Sequence, residues 1–190
     1  MQGNESRIQF TSLQQTAFVI LRIAIGWHFL REGFVKLSHP SWTATGYLTV
    51  SWGPFADMMQ SFAASPAWMS FINVFIPWAL FLAGLGLMLG LFTRISIVVS
   101  MGLLAMFYFA TPPWPWELTI SSVEEWSTFI NSVDHAQWAA QQLIGNEGNY
   151  VIVNKNMIEF LALGALLTID SGKMAGFDVM IHQWLFGKEK

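Results

Sequence analysis

Two short runs of the 190-residue chain place ionisable side chains inside otherwise apolar sequence. The first, LRIAIGWHFLREGFVKL, carries Arg22, His28, Arg31, Glu32 and Lys36. The second, NKNMIEFLAL, carries Lys155 and Glu159 as an i,i+4 pair. On a helix of about 3.6 residues per turn, His28, Glu32 and Lys36 stack on one face, Arg22 lies nearby in angle and Arg31 lies to one side. A charge near the centre of a bilayer costs roughly 2.5–3.5 kcal/mol on insertion scales, so such residues face the protein interior and pair. The expectation is one polar cluster of Arg22, His28, Arg31, Glu32, Lys36, Lys155 and Glu159, able to hold a polar ligand group or pass protons. A structural role competes with that reading. Lys36 and Lys155 sit near helix ends, where long stems snorkel, and Glu32 can neutralise Arg31 or Lys36 so that the helix inserts. A single His beside a span is more often a hydrogen-bonded structural residue than a catalyst.

Other chemistries find little support. Cysteine is absent, so the chain forms no disulfide, thiolate metal site or redox dithiol, and any thiol chemistry belongs to a partner. No two of His28, His39, His135 and His182 stand at metal-ligand spacing, so no metal site is expected. Gly86 and Gly90 within GLGLMLG have the wrong spacing for a dinucleotide loop and read as close helix packing. Asn73 and Pro77 in the same run suggest a kink. No serine elbow, phosphate loop or haem pair is visible.

The elements that must position the cluster follow from composition. Only 11% of residues are charged and 54% are hydrophobic. Soluble domains carry about 25% charge, so the chain reads as all-α and polytopic in a membrane. Four spans are expected, at about 16–37, 71–91, 94–111 and 151–169, within one membrane domain covering 1–190. Pro112 and Pro113 close the third. The polar stretch from Met1 to Gln15 lacks the features of a cleaved signal peptide. Arg7, Arg94, Lys173, Lys188 and Lys190 cluster at one set of ends, which puts both termini in the cytoplasm. The loops at 38–70 and 112–150 are then outside, and they carry Asp57, Glu117, Glu124, Glu125, Asp134 and Glu147. Each holds an amphipathic pattern, at Pro54 to Ala64 and at Ser122 to Ile144. Most of the tryptophans (Trp42, Trp52, Trp68, Trp114, Trp116, Trp126 and Trp138) fall in these loops, either as an aromatic belt or as a lid. A net charge of −3 argues against a nucleic-acid partner.

Several passages together resemble the DoxX family of small four-helix bacterial membrane proteins. The first span has its arginine, glycine and lysine pattern as Arg22, Gly26, Phe29, Gly33 and Lys36. The link between the second and third spans has Gly84, Gly86 and Gly90 followed by Leu91, Phe92, Thr93 and Arg94. The last part has YVIVNKNMIEFLAL, then SGKMAGFDVMI with Gly172, Gly176 and Asp178. Many relatives have an acid early in the second span, where IPWALFLAG has none, so any role of that acid does not carry over. The resemblance implies a four-helix bundle in the bacterial inner membrane. Some members are membrane subunits of thiosulfate:quinone oxidoreductase, and others resemble membrane parts of thiol-linked detoxifying oxidoreductase assemblies.

Three functions fit these features. A quinone-linked oxidoreductase subunit would use the polar cluster, with His28, Arg22 or Glu159 bonding a quinone carbonyl and relaying protons. A scaffold would dock another protein through the acidic, Trp-rich outer loops. A small-molecule or lipid transporter would use the outward polar pocket, as half of a homo-oligomeric path, although no inverted repeat is seen. The family resemblance ranks the oxidoreductase subunit first.

Overall fold

A computed structural model describes residues 10–112, 149–150, 152–169 and 171–187. Helix α1, Ser12–Ser38, opens with a capping box: Thr11 accepts from the Gln14 amide at 3.3 Å and the Gln14 side chain accepts from the Thr11 amide at 2.8 Å. Its buried residues, Arg22, Ile25, Gly26, Phe29 and Gly33, fall three and four apart on one stripe. After α1 come two short helices, α2 (Thr45–Thr49) and α3 (Ala56–Ala64). The α3 helix begins two residues beyond Pro54. Helix α4, Pro66–Leu89, starts on a proline, whose missing amide costs nothing in a first turn. Pro77 lies inside it, buried.

The α4 helix ends at Gly90, which is left-handed at φ 64°, while the Leu91 amide bonds back to the Gly86 carbonyl at 2.9 Å. Phe92 is also left-handed, at φ 48°, and exposed. This tight turn delivers α5, Thr93–Ala110. A two-stranded antiparallel hairpin, β1 (Asn149–Tyr150) with β2 (Val153–Asn154), precedes α6, Lys155–Thr168. Asn154 caps α6 by accepting from the Met157 amide at 3.0 Å. A 3-10 turn at Ser171–Lys173 and helix α7, Phe177–Phe186, follow.

The long helices pack in a cycle: α1 on α4, α4 on α5, α5 on α6, and α6 back on α1. Their shared core includes Ile25, Phe29, Leu80, Leu87, Ile97, Leu104, Leu163 and Leu166. Glycine sets the closest approach. A Cβ on Gly33 would strike the Phe81 backbone, and one on Gly84 would strike the Leu30 amide. At Gly26 it would come within 2.9 Å of Leu87 and Met88. These glycines let α1 and α4 touch backbone to backbone, where dispersion is strongest. The expected Gly86 and Gly90 pair does something else. Gly86 makes room for Ser96 inside the α4–α5 hairpin, and Gly90 lies beyond the helix as its left-handed cap.

Among the described residues two helices, α4 and α5, are long and apolar enough to cross a membrane, with mean hydropathies of 2.0 and 1.6. The α1 helix is longer but carries Arg31, Glu32 and Lys36 in its second half. The fourth helix is shorter than the sequence reading, because the β hairpin occupies residues before Lys155. With 14 residues it is about 21 Å long, against a hydrocarbon core of about 30 Å.

The segment joining α1 to α4 is pinned onto the bundle. The Asn73 side chain accepts from the Ala44 amide at 2.9 Å, and the Trp52 and Gly53 amides both donate to the Ala110 carbonyl at 3.1 Å. Asn73 thus tethers a connector, a use not evident from a presumed kink. The expected amphipathic stretch from Ser122 to Ile144, with Trp114, Trp116, Trp126 and Trp138, lies outside the described residues, as do Arg7, Lys188 and Lys190.

Candidate functional site

His28, Glu32 and Lys36 rise one turn apart along α1. The first turns of α6 bring Lys155 and Glu159 against them, fixed by the Asn154 cap and by Tyr108, whose hydroxyl donates to the Ile152 carbonyl at 2.7 Å. His28 Nδ1 lies 2.9 Å from Glu159 Oε2, and Lys155 Nζ lies 3.5 Å from His28 Nε2. Both contacts are satisfied by the neutral ring with its proton on Nδ1, which donates to the carboxylate while Nε2 accepts from the ammonium. The histidine is therefore a bridge between an acid and a base on one helix. The rings of His28 and Phe29 meet edge to face at 5.8 Å, which limits how the imidazole can turn. Lys36 Nζ bonds Glu32 Oε2 at 2.5 Å and stands 5.9 Å from the centre of the Trp42 ring.

His28, Glu32, Lys36 and Lys155 form one wall of a cleft. His28, Glu32, Lys36, Lys155 and Asn156 supply its polar side; Phe29, Leu80, Leu104 and Phe107 supply its apolar side. Residues of α1, α4, α5 and α6 all contribute, so the cleft sits where the four long helices meet. Asn156 was not expected. It lies between two residues of known interest, in the polar run Asn154-Lys155-Asn156 that opens α6, and that run was the available signal. Leu104 and Phe107 could not be assigned to a site from an unbroken apolar helix.

Two expected members stand apart from the cluster. Arg22 is 2% exposed and donates from Nη1 to the Ser171 carbonyl at 2.9 Å, at the end of the bundle that holds the α4–α5 turn. Six residues of helix separate it from His28 by about 9 Å along the axis and about 120° around it, so Arg22 shares neither the height nor the face of the cluster. Arg31 is exposed and bonds none of the described residues. It lies a step of about 100° from Glu32, off the cleft face.

Arg22 belongs instead to a corner built from several passages of the chain. The Asp178 carboxylate accepts from the Phe92 amide at 2.7 Å and the Thr93 amide at 2.8 Å, which caps α5. The Asp178 amide donates to the Gly90 carbonyl at 2.7 Å. A Cβ on Gly90 would lie 2.8 Å from Gly176 and 2.9 Å from Arg22 Nη2, and one on Gly172 would lie 2.7 Å from Thr93 and Asp178. The buried guanidinium and the Asp178 carboxylate lie within electrostatic reach of each other. This corner joins α1, α5 and α7 through backbone contacts that only glycine and a short acid permit.

On the connector, Tyr47 donates to the Phe107 carbonyl at 2.7 Å and contacts Thr111 at 3.2 Å, tying it to the end of α5 beside the cleft. Burial pushes its phenol well above the ordinary tyrosine range. Among the described residues no group of side chains could hold a metal ion.

The model of the DoxX family matches residues 17–113, about half of the chain. The match takes in Arg22, His28, Glu32, Lys36 and the α4–α5 turn, while Lys155, Glu159 and Asp178 lie beyond it. No curated protein and no solved structure matches the chain.

Proposed function

The chain belongs to the DoxX family of membrane proteins, and on that premise we propose that it is the membrane subunit of a quinone-linked oxidoreductase assembly, with the quinone head in the cleft beside His28. In this reading α1 joins α4 and α5 as a membrane span, and α6 with the residues flanking it completes the fourth, in one domain of the bacterial inner membrane. Both termini face the cytoplasm, and the His28 end of the bundle faces outward. His28, Glu32 and Lys36 of α1 are tolerated because they meet Lys155 and Glu159 of α6.

The observation that carries the proposal is His28 held between Glu159 and Lys155 on the wall of a cleft lined by all four long helices. A quinone needs hydrogen-bond donors at its carbonyls and flat apolar surfaces for its ring. Lys155, Lys36 and Asn156 can donate, and Phe29, Leu80, Leu104 and Phe107 offer the surfaces. Reduction of a quinone to a quinol takes up two electrons and two protons. The cysteine-free chain takes the electrons from a protein partner, and the Glu159, His28 and Lys155 bridge passes protons by shifting the ring between tautomers.

Binding tests this directly. Protein purified gently in native lipid should carry quinone in its lipid extract, and a soluble benzoquinone should bind saturably in nanodiscs. Glu159→Gln and His28→Ala should each weaken that binding by at least about tenfold, the scale expected when a hydrogen bond to a charged group is lost. No retained quinone and no saturable binding would overturn the proposal.

A further inference from the structure

A second cleft adjoins the first between α5 and α6. The two share Leu104 and Asn156. Beyond Asn156 the character changes abruptly. The walls are Leu104, Ala105, Tyr108 and Phe109 from α5 with Met157 and Phe160 from α6. The one hydroxyl here, on Tyr108, is already engaged by the Ile152 carbonyl. Phe109, 39% exposed, forms the outer rim.

We infer that this slot receives the apolar tail of the ligand whose head lies beside His28, so that the protein selects a tailed amphiphile over a bare polar solute or a plain hydrocarbon chain. The inference rests on the head-group site proposed above and adds the ligand's shape. A polar solute would gain nothing from the second cleft. A hydrocarbon chain filling the first would leave His28, Lys36 and Lys155 facing an apolar neighbour, a costly arrangement. One molecule with a hydrogen-bonding head and a single apolar tail satisfies both walls, with Asn156 at the junction. A flexible Met in the wall suits a tail without fixed shape.

The source of the tail decides what the slot can do. A tail arriving from the bilayer leaves one apolar medium for another, so its burial supplies little driving force. The slot therefore orients the head and excludes poorly fitting tails, while the head contacts supply affinity. Ala105 lines this slot from α5 and takes no part in lining the first cleft.

The test uses the full chain in nanodiscs and two probes, a tail-less benzoquinone and the same head with a decyl tail, each scored per lipid-phase concentration. Ala105→Trp should weaken the decyl probe by at least about tenfold and leave the tail-less probe unchanged. Met157→Trp, from the facing wall, should do the same, which guards against one variant failing to fold. A decyl probe with a photoreactive tail end should crosslink within residues 104–109 and 157–160. Equal effects on both probes, or crosslinks elsewhere, would overturn the slot while leaving the head site standing. Failure of both probes to bind the wild-type chain would overturn the head site and the slot together.

Discussion

His28 Nδ1 and Glu159 Oε2, 2.9 Å apart, join α1 to α6 across a boundary that few other contacts bridge. Both side chains are largely withdrawn from solvent, with 29% and 19% of their surface exposed. The pair is thus a structural tie as well as part of the proposed site. Breaking either side leaves the other carrying an unmet hydrogen-bonding group, which costs about 1–3 kcal/mol.

The tie can be measured. His28→Ala and Glu159→Ala should each lower the stability of the protein in detergent, and a double-mutant cycle should return a coupling of about 0.5–3 kcal/mol. Additive losses in the cycle would show that the two side chains do not act as a pair.

The glycine contacts between α1 and α4 should tolerate nothing larger. Gly84→Leu should destabilise by more than about 1–3 kcal/mol, the usual cost of overpacking, because the obstacle is the Leu30 backbone, which cannot rotate away. Gly102→Ala is the control, since a Cβ there meets nothing within 4 Å. It should be neutral or slightly stabilising by melting temperature, because alanine favours the helix by up to about 1 kcal/mol.

Asp178 should govern how firmly α5 begins. Asp178→Ala removes both acceptors and should cost about 1–3 kcal/mol. Asp178→Asn keeps one oxygen and should lose less. Hydrogen exchange at the Phe92 and Thr93 amides is the readout, and it should accelerate in the alanine variant. Unchanged exchange there would mean that the turn holds itself.

Tyr47 gives the fold an alkaline limit. Its phenol ionises at higher pH when folded than the unfolded value of about 10, so the folded state favours the neutral form. That contribution is fully present below pH of about 10 and fades as pH rises further. Tyr47→Phe should lose about 0.5–1.5 kcal/mol at neutral pH, through the missing bond to Phe107, and should flatten the decline above pH of about 10. An identical alkaline decline in both proteins would remove Tyr47 as its cause.

Much of the frame could be read from the residues. Apolar runs and their breaks placed the α4–α5 turn and both ends of α5 within one or two residues, because Gly90 and Pro112 interrupt them chemically, whereas α4 begins at Pro66, five residues before the expected 71. The meeting of Lys155 and Glu159 with the first helix followed from the cost of stranding charge in lipid. Other features depend on the third dimension. Arg22 was grouped with His28 although it lies about 120° around the helix and about 9 Å along it. Gly86 and Gly90 had the familiar spacing, but a glycine contact is defined by what stands opposite it. Gly26, Gly33 and Gly84 meet backbone, and Gly90 ends a helix. The fourth helix was extended too far because Val151, Ile152 and Val153 are apolar, although Asn154 ahead of a helical pattern is a recognisable capping signal.

The corner of Gly90, Gly176 and Asp178 stands at the opposite end of the bundle from the His28 cleft, and α1 touches both. Its tolerances are set by main chain packed against main chain, whereas the cleft is defined by side-chain tips. Changes at the tips should therefore leave the corner undisturbed, with effects that add rather than interact. In engineering terms the molecule is a fixed chassis with an exchangeable head: the ligand preference could be rewritten at a handful of positions on α1, α5 and α6 without redesigning how the chain folds.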